Sequence, residues 1–207
     1  IKIGTILATL TKTVVKGSIN TAFELVKSQL SGERLRPKGI GIELVADGKL
    51  LEQQGGGMST DMNGITFENN FDSLPASLKE LQIKLVSFSA DHDAHNVFEL
   101  QKGKSNGSVK VKDQNVEINN VYESKGDTYV TITSEEDVKL TRVKLVAGDK
   151  RISLENTIDE IDDKKANGLV THTRTLHFKG TGQKLKLDVQ GISYTDTVNE
   201  TFDVPVN

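Results

Sequence analysis

The chain contains no cysteine and no tryptophan, only three prolines and three tyrosines. Without cysteine there is no disulfide, no thiol nucleophile and no thiolate metal site, so packing must supply the stability. With three tyrosines and no tryptophan, the aromatic platform on which sugars usually stack is thin, which counts against a carbohydrate-binding module. Charge of one sign is lacking too. The formal net charge is −3, with 26 basic and 29 acidic residues mixed along the chain. A nucleic-acid partner, which demands a clustered basic face, is not expected. No apolar run approaches the roughly 20 residues that span a bilayer. The first residue is Ile1 rather than methionine, so the chain is expected to be part of a longer protein, attached to a membrane only through a segment outside these residues.

What is present is alternation. In SVKVKDQNVEINNVYESKGDTYVTITS, Ser108 to Ser134, the pairs Val109/Val111, Val116/Ile118 and Val130/Ile132 alternate with polar neighbours, the period of a half-buried strand. Asp113-Gln114-Asn115 and Ser124-Lys125-Gly126-Asp127 supply the turns. Further strands are predicted over 138–147, 151–157, 169–178, 184–191 and 201–206, with an acidic loop after 157. Their spacing, near twelve residues, is that of an immunoglobulin-like β-sandwich.

In the first half, Asp47-Gly48 marks a tight hairpin between 40–46 and 49–53. Strands are also predicted at 65–68, 81–89 and 97–100, with a capping loop around Pro75. Residues 1–30 admit two readings. Ile19, Phe23, Val26 and Leu30 share one helical face, while the β-branched density favours two strands, 3–15 and 19–27, turning at Lys16-Gly17-Ser18. Lys102 to Ser108, charged and rich in glycine and serine, reads as a linker. The expected organisation is all-β: two immunoglobulin-like β-sandwich domains in tandem, at 1–103 and 108–207, joined by 104–107.

Several stretches carry a resemblance. TKTVVKGSINTAFEL, ELVADGKLLEQQGGG and SLPASLKELQIKL resemble the extracytoplasmic β domains of uncharacterised Gram-positive surface proteins, a family related to membrane-anchored anti-sigma factors. NVEINNVYESKGDTYVTITSEED, RTLHFKGTGQKLKLDV and YTDTVNETFDVPV resemble the companion domain of the same proteins. The resemblance implies a two-part β ectodomain beyond one membrane span, linked to signalling. These motifs are strands and turns, so no functional residue is carried over.

Candidate chemistry is sparse. Asp91-His92-Asp93-Ala94-His95 offers His92, Asp93 and His95 as ligands to a divalent ion if the stretch curls, against the reading of an exposed polar loop; the spacing matches no established zinc pattern. His172 and His177, five apart on one strand, point to opposite faces. Asp159, Glu160, Asp162 and Asp163 lack the spacing of a calcium loop. Gly55 to Thr60 invites comparison with a phosphate loop, but no lysine follows and no helix is predicted, which favours a bulge or turn. Asn106 and Asn199 begin N-x-S/T triplets, relevant only in a eukaryotic secretory route. No G-x-S-x-G elbow occurs.

The expectation is therefore a non-enzymatic extracytoplasmic sensing or interaction module with no cofactor, whose partner is a protein or a cell-envelope ligand. A structural or adhesive cell-surface domain is the alternative.

Overall fold

A computed structural model describes residues 1–21, 35–61, 64–166 and 168–206. All the regular elements among them are strands: β1 (Lys2–Ala8), β2 (Thr13–Thr21), β3 (Leu35–Ala46), β4 (Lys49–Leu50), β5 (Gln53–Asp61), β6 (Gly64–Phe71), β7 (Leu81–Leu100), β8 (Gly107–Val111), β9 (Gln114–Ser124), β10 (Asp127–Glu135), β11 (Lys139–Ala147), β12 (Lys150–Lys164), β13 (Val170–Phe178) and β14 (Leu185–Val204). The protein is all-β and its sheets pack as in a β-sandwich.

The chain divides into two units, Ile1–Asp91 with Thr195–Asn207, and His92–Tyr194. This division differs from the expected one at 104–107. Both β7 and β14 contribute to each unit, so the first unit is discontinuous in sequence. The glycines and serine of 103–107 serve a bonded turn inside the second unit rather than a flexible joint. Gly103 and Gly107 take φ of 71° and 77°, and the Asn106 side chain accepts from the Gln101 amide at 2.6 Å and donates to its carbonyl at 3.1 Å. A composition that suits a linker suits such a turn equally well.

In the first unit a sheet ordered β1-β2-β6-β5 faces one built from β4, β3, β7 and β14. Alternate residues of the two layers make the core: Val15, Ile19, Ile65, Phe67 and Phe71 from one, Ile42, Leu44, Leu81, Ile83 and Leu85 from the other. Burying each such side chain is worth about 2 kcal/mol. Residues 1–21 are strands, yet the turn falls at Thr9–Lys12, where the Thr9 hydroxyl caps the Lys12 amide at 3.1 Å, not at Lys16–Ser18. Phe23, Val26 and Leu30 lie outside the described residues. Leu74 and Leu78 pack on the core from the loop around Pro75, as expected.

Asp47 and Gly48 turn with φ of 49° and 75°, the paired positive angles of a type I′ hairpin. The Asp47 carboxylate also accepts the backbone amides of Lys79 and Glu80, both at 2.9 Å. Those two bonds hold its pKa below the ordinary 3.8. A depressed pKa contributes stability that is present above the unfolded-state value and is lost as pH falls through the folded one. Asp47→Asn is thus expected to lose less Tm than the wild type when pH is lowered from neutrality to below 3.8. Thermal melts at the two pH values check this, and equal acid sensitivity contradicts it.

The second unit folds one sheet over on itself, in the order β7-β14-β11-β12-β13-β10-β9-β8. Its corner is β12. Residues 150–153 pair with β11, residues 154–164 pair with β13, and the register shifts between Leu154 and Asn156 and again between Ile158 and Glu160. Bulges are the usual device by which a strand leaves one layer and joins another. Leu145, Leu187, Val189 and Ile192 of one layer then meet Val116, Ile118, Val130, Leu176 and Phe178 of the other. The acidic run from 159, expected as a loop, lies within β12. The predicted strands 184–191 and 201–206 fall for the most part within the single twenty-residue β14, which begins at Leu185 and ends at Val204.

Candidate functional site

Asp91 to His95 is not a loop. It lies inside β7, which continues unbroken from Leu81 to Leu100. Extended backbone sends residues three apart to opposite faces, so His92 and His95 cannot converge on one ion. His92 stacks on Tyr194, with ring centroids 4.4 Å apart. His95 is exposed. Asp93 is buried, and its carboxylate accepts from Arg142 Nη2 at 2.5 Å. Among the described residues no three His, Asp or Glu side chains gather as a metal site would require.

Arg142 stands in β11 with φ of 52°, a left-handed angle uncommon outside glycine. Between β11 and β7 runs β14. Gly191 on that strand leaves the gap: a β-carbon there would lie 2.6 Å from the guanidinium. The arginine thus crosses a bare backbone to reach Asp93, a structural ion pair in which a side chain at 191 would collide.

His172 and His177 serve separate places, as their spacing predicts. His172 Nδ1 meets Asp162 Oδ1 at 2.5 Å. The side chains of Asp159 and Glu160 lie outside the description. His177 bonds Asn156 through Nδ1 at 2.8 Å and Asp127 through Nε2 at 2.7 Å. Its ring also ends a row, because Tyr122, Tyr129 and His177 are register partners on β9, β10 and β13. The rings stack at 4.9 and 4.8 Å. Standing face to face, they conceal from any planar ligand the inner faces of the row, both faces of Tyr129 among them. The sequence shows three scattered tyrosines and no hint of this row.

A concavity of about 800 Å³ lies on the β1-β2-β6-β5 sheet. Lys2, Lys16, Ser18, Thr66, Glu68 and Asn70 are among its lining residues. Lys16 and Glu68 are cross-strand partners joined at 2.8 Å, and that hydrogen bond holds the Glu68 pKa below its usual value. Beside it, Gly17 yields its side-chain space to neighbours: a β-carbon there would meet the Lys2 carbonyl at 2.4 Å and the Phe67 ring at 2.4 Å.

The glycine run forms one wall. Gly55 to Thr60 is neither a phosphate loop nor a break, but the body of β5 at the sheet's edge. Gly56 is opposite Asn69, whose carboxamide oxygen occupies the space a Gly56 side chain would need. Asn69 is 4% exposed, and its oxygen accepts from Gln53 Nε2 at 3.2 Å. Its Nδ2 is buried without an acceptor from the protein. Lys2, Lys16, Glu68 and Asn69 were not singled out by the sequence. Asn69 had a signal, since it occupies an inward position in the alternation Ile65, Phe67, Asn69, Phe71, where an apolar residue belongs.

No protein-family model matches the chain, and neither a curated protein nor a solved structure matches it.

Proposed function

We propose that this chain is a non-enzymatic extracytoplasmic sensing or interaction module of a membrane-anchored bacterial protein, connected to anti-sigma-factor signalling. The observation that supports a binding role is the concavity on the β1-β2-β6-β5 sheet, walled by lysine, serine, threonine and asparagine side chains. Such a lining recognises a partner through hydrogen bonds and charge. The extracytoplasmic setting rests on the sequence resemblance of both halves to surface-protein ectodomains. Fractionation of cells carrying the native protein tests the setting. Recovery with the envelope supports it, and recovery in the cytoplasmic fraction overturns it.

A further inference from the structure

Sheet edges are where β proteins either defend themselves or pair. The described edges differ sharply in this respect. β4 has two residues, β8 has five and carries Lys110, and β1 carries Lys2 and a register irregularity between Ile3 and Thr5. Short length, lysine and irregular register are the devices that keep an edge from pairing. The fourth edge, β5, has nine residues and no lysine, arginine or proline. Among the described residues no strand lies beyond it. Gln53 to Gly57, Ser59 and Thr60 are all exposed, and Met58 is half-buried. From Gly55 to Asp61 the register with β6 runs without a shift, so these seven residues form one extended template.

The order of residues along that template is complementary to itself. Gly55-Gly56-Gly57 precedes Met58, and Ser59-Thr60-Asp61 follows it. When two copies run antiparallel about Met58, Gly57 stands opposite Ser59, Gly56 opposite Thr60 and Gly55 opposite Asp61. Each bare position of one copy thus faces a residue with a side chain in the other, and there is open space around Gly55 and Gly57 to admit it. Charge agrees with this direction. Asp61 is the only ionisable residue of the strand, and the two copies set it at opposite ends of the ladder. A parallel, in-register pairing would instead put Asp61 beside Asp61 and glycine beside glycine, with like charges opposed. Met58 meets its own counterpart at the two-fold axis. It packs on the core of its own unit but stays half-buried, so a second copy covers apolar surface left open.

We infer that β5 is the interface between two copies of this chain, paired antiparallel about Met58 so that their β1-β2-β6-β5 sheets become one. A contact of this kind uses the same patch on both copies and closes at the dimer. Backbone pairing supplies its affinity. One pair of edge strands buries less than the roughly 1,200 Å² of a stable interface, so the expected Kd is about 10–100 μM. Cross-strand partners point to the same face, and Gly56 to Ser59 line the concavity of each copy. The two concavities therefore open side by side on one face, where a partner with two matching features engages both. That consequence rests on the binding role proposed for the concavity. The pairing stands or falls without it, because it is measured on purified protein with no partner present.

Sedimentation equilibrium of the full chain, taken up to about 0.5 mM, reads the association. A monomer–dimer equilibrium is expected. Gly57→Lys puts into open space the residue type that guards other edges of this chain, and in a dimer it brings two lysines together beside the axis. It is expected to weaken the dimer about tenfold and to leave the Tm of dilute protein unchanged. Cross-linking reads the register, and the absence of native cysteine leaves no background. Gly57→Cys mixed with Ser59→Cys is expected to form a disulfide between the two variants, because opposed residues lie about 4.5–5.5 Å apart at Cα. Neither variant alone is expected to cross-link, since same-numbered residues there are about 8 Å apart, beyond disulfide reach. A monomer at every concentration, a dimer that Gly57→Lys leaves as tight, or a mixture that cross-links no more than either variant alone overturns the proposal.

Discussion

Replacing Arg142 with alanine is expected to lower the unfolding free energy by about 2–3 kcal/mol. Removal of the guanidinium takes from the buried Asp93 carboxylate a charged donor at 2.5 Å, in surroundings where water replaces it poorly. The loss falls toward the lower end for buried pairs because the Arg142 side chain is 42% exposed and already shares its charge with solvent. Asp93→Asn combined with Arg142→Ala is expected to recover part of the loss, since the stranded charge disappears. Backbone angle separates two further effects. At φ of 52° a β-carbon costs about 1 kcal/mol. Arg142→Gly is therefore expected to be less harmful than Arg142→Ala by about that amount, against the ordinary rule that glycine weakens a strand. Urea unfolding of the four proteins gives the comparison. An alanine variant as stable as the wild type would show that the ion pair contributes nothing.

The second large effect is expected at Gly17. A methyl group there is directed at the Lys2 carbonyl and at the ring of Phe67, which is 3% exposed and set in the core. Neither neighbour is the free end of a flexible side chain. Either β1 moves off β2 or the ring moves within a close-packed interior, and overpacking of this kind costs about 2–3 kcal/mol. Gly57→Ala is the matched control, because nothing lies within 4 Å of its added β-carbon. Its stability is expected to stay within about 0.5 kcal/mol of wild type. Limited proteolysis adds a local readout: if β1 is displaced, cleavage in residues 1–12 accelerates in Gly17→Ala and not in Gly57→Ala. Equal stability of the two variants would mean that β1 and Phe67 give way without cost.

These two sites show why some of the structure is legible in the sequence and some is not. Alternation of Val116, Ile118, Val130 and Ile132 reports burial on one face directly, so β9 and β10 are readable. So are the Asp47-Gly48 and Lys125-Gly126 turns, where both residues take positive φ. Strand continuity is not readable, because polarity reports only that a residue meets solvent or a polar partner. Asp91 to His95 looks like a loop, yet it stays extended, its Asp93 answered by an arginine from β11 and its His92 by a tyrosine from β14. The acidic residues after Ile158 are misleading in the same way, since Asp162 finds His172 across the ladder.

Glycine is ambiguous for a related reason. At Gly17, Gly56 and Gly191 it answers a neighbour distant in sequence, at Gly103 and Gly107 it answers its own φ, and at Gly55 and Gly57 it leaves open space. At Gly17 the strands that create the need, β1 and β6, are remote from one another along the chain. Asn69 is the exception, a polar residue visibly out of phase in an apolar alternation. That phase error and the glycine run of β5 are the marks of the candidate site in the sequence.

The setting of the module is tested most directly by the N-terminus of the native protein in its own cell fraction, mapped by mass spectrometry. The expected result is recovery with the membrane, with a cytoplasmic segment and one apolar span preceding the β units. Release from the membrane after signal cleavage, or attachment to the wall, would contradict the signalling account and leave an adhesive surface domain in its place.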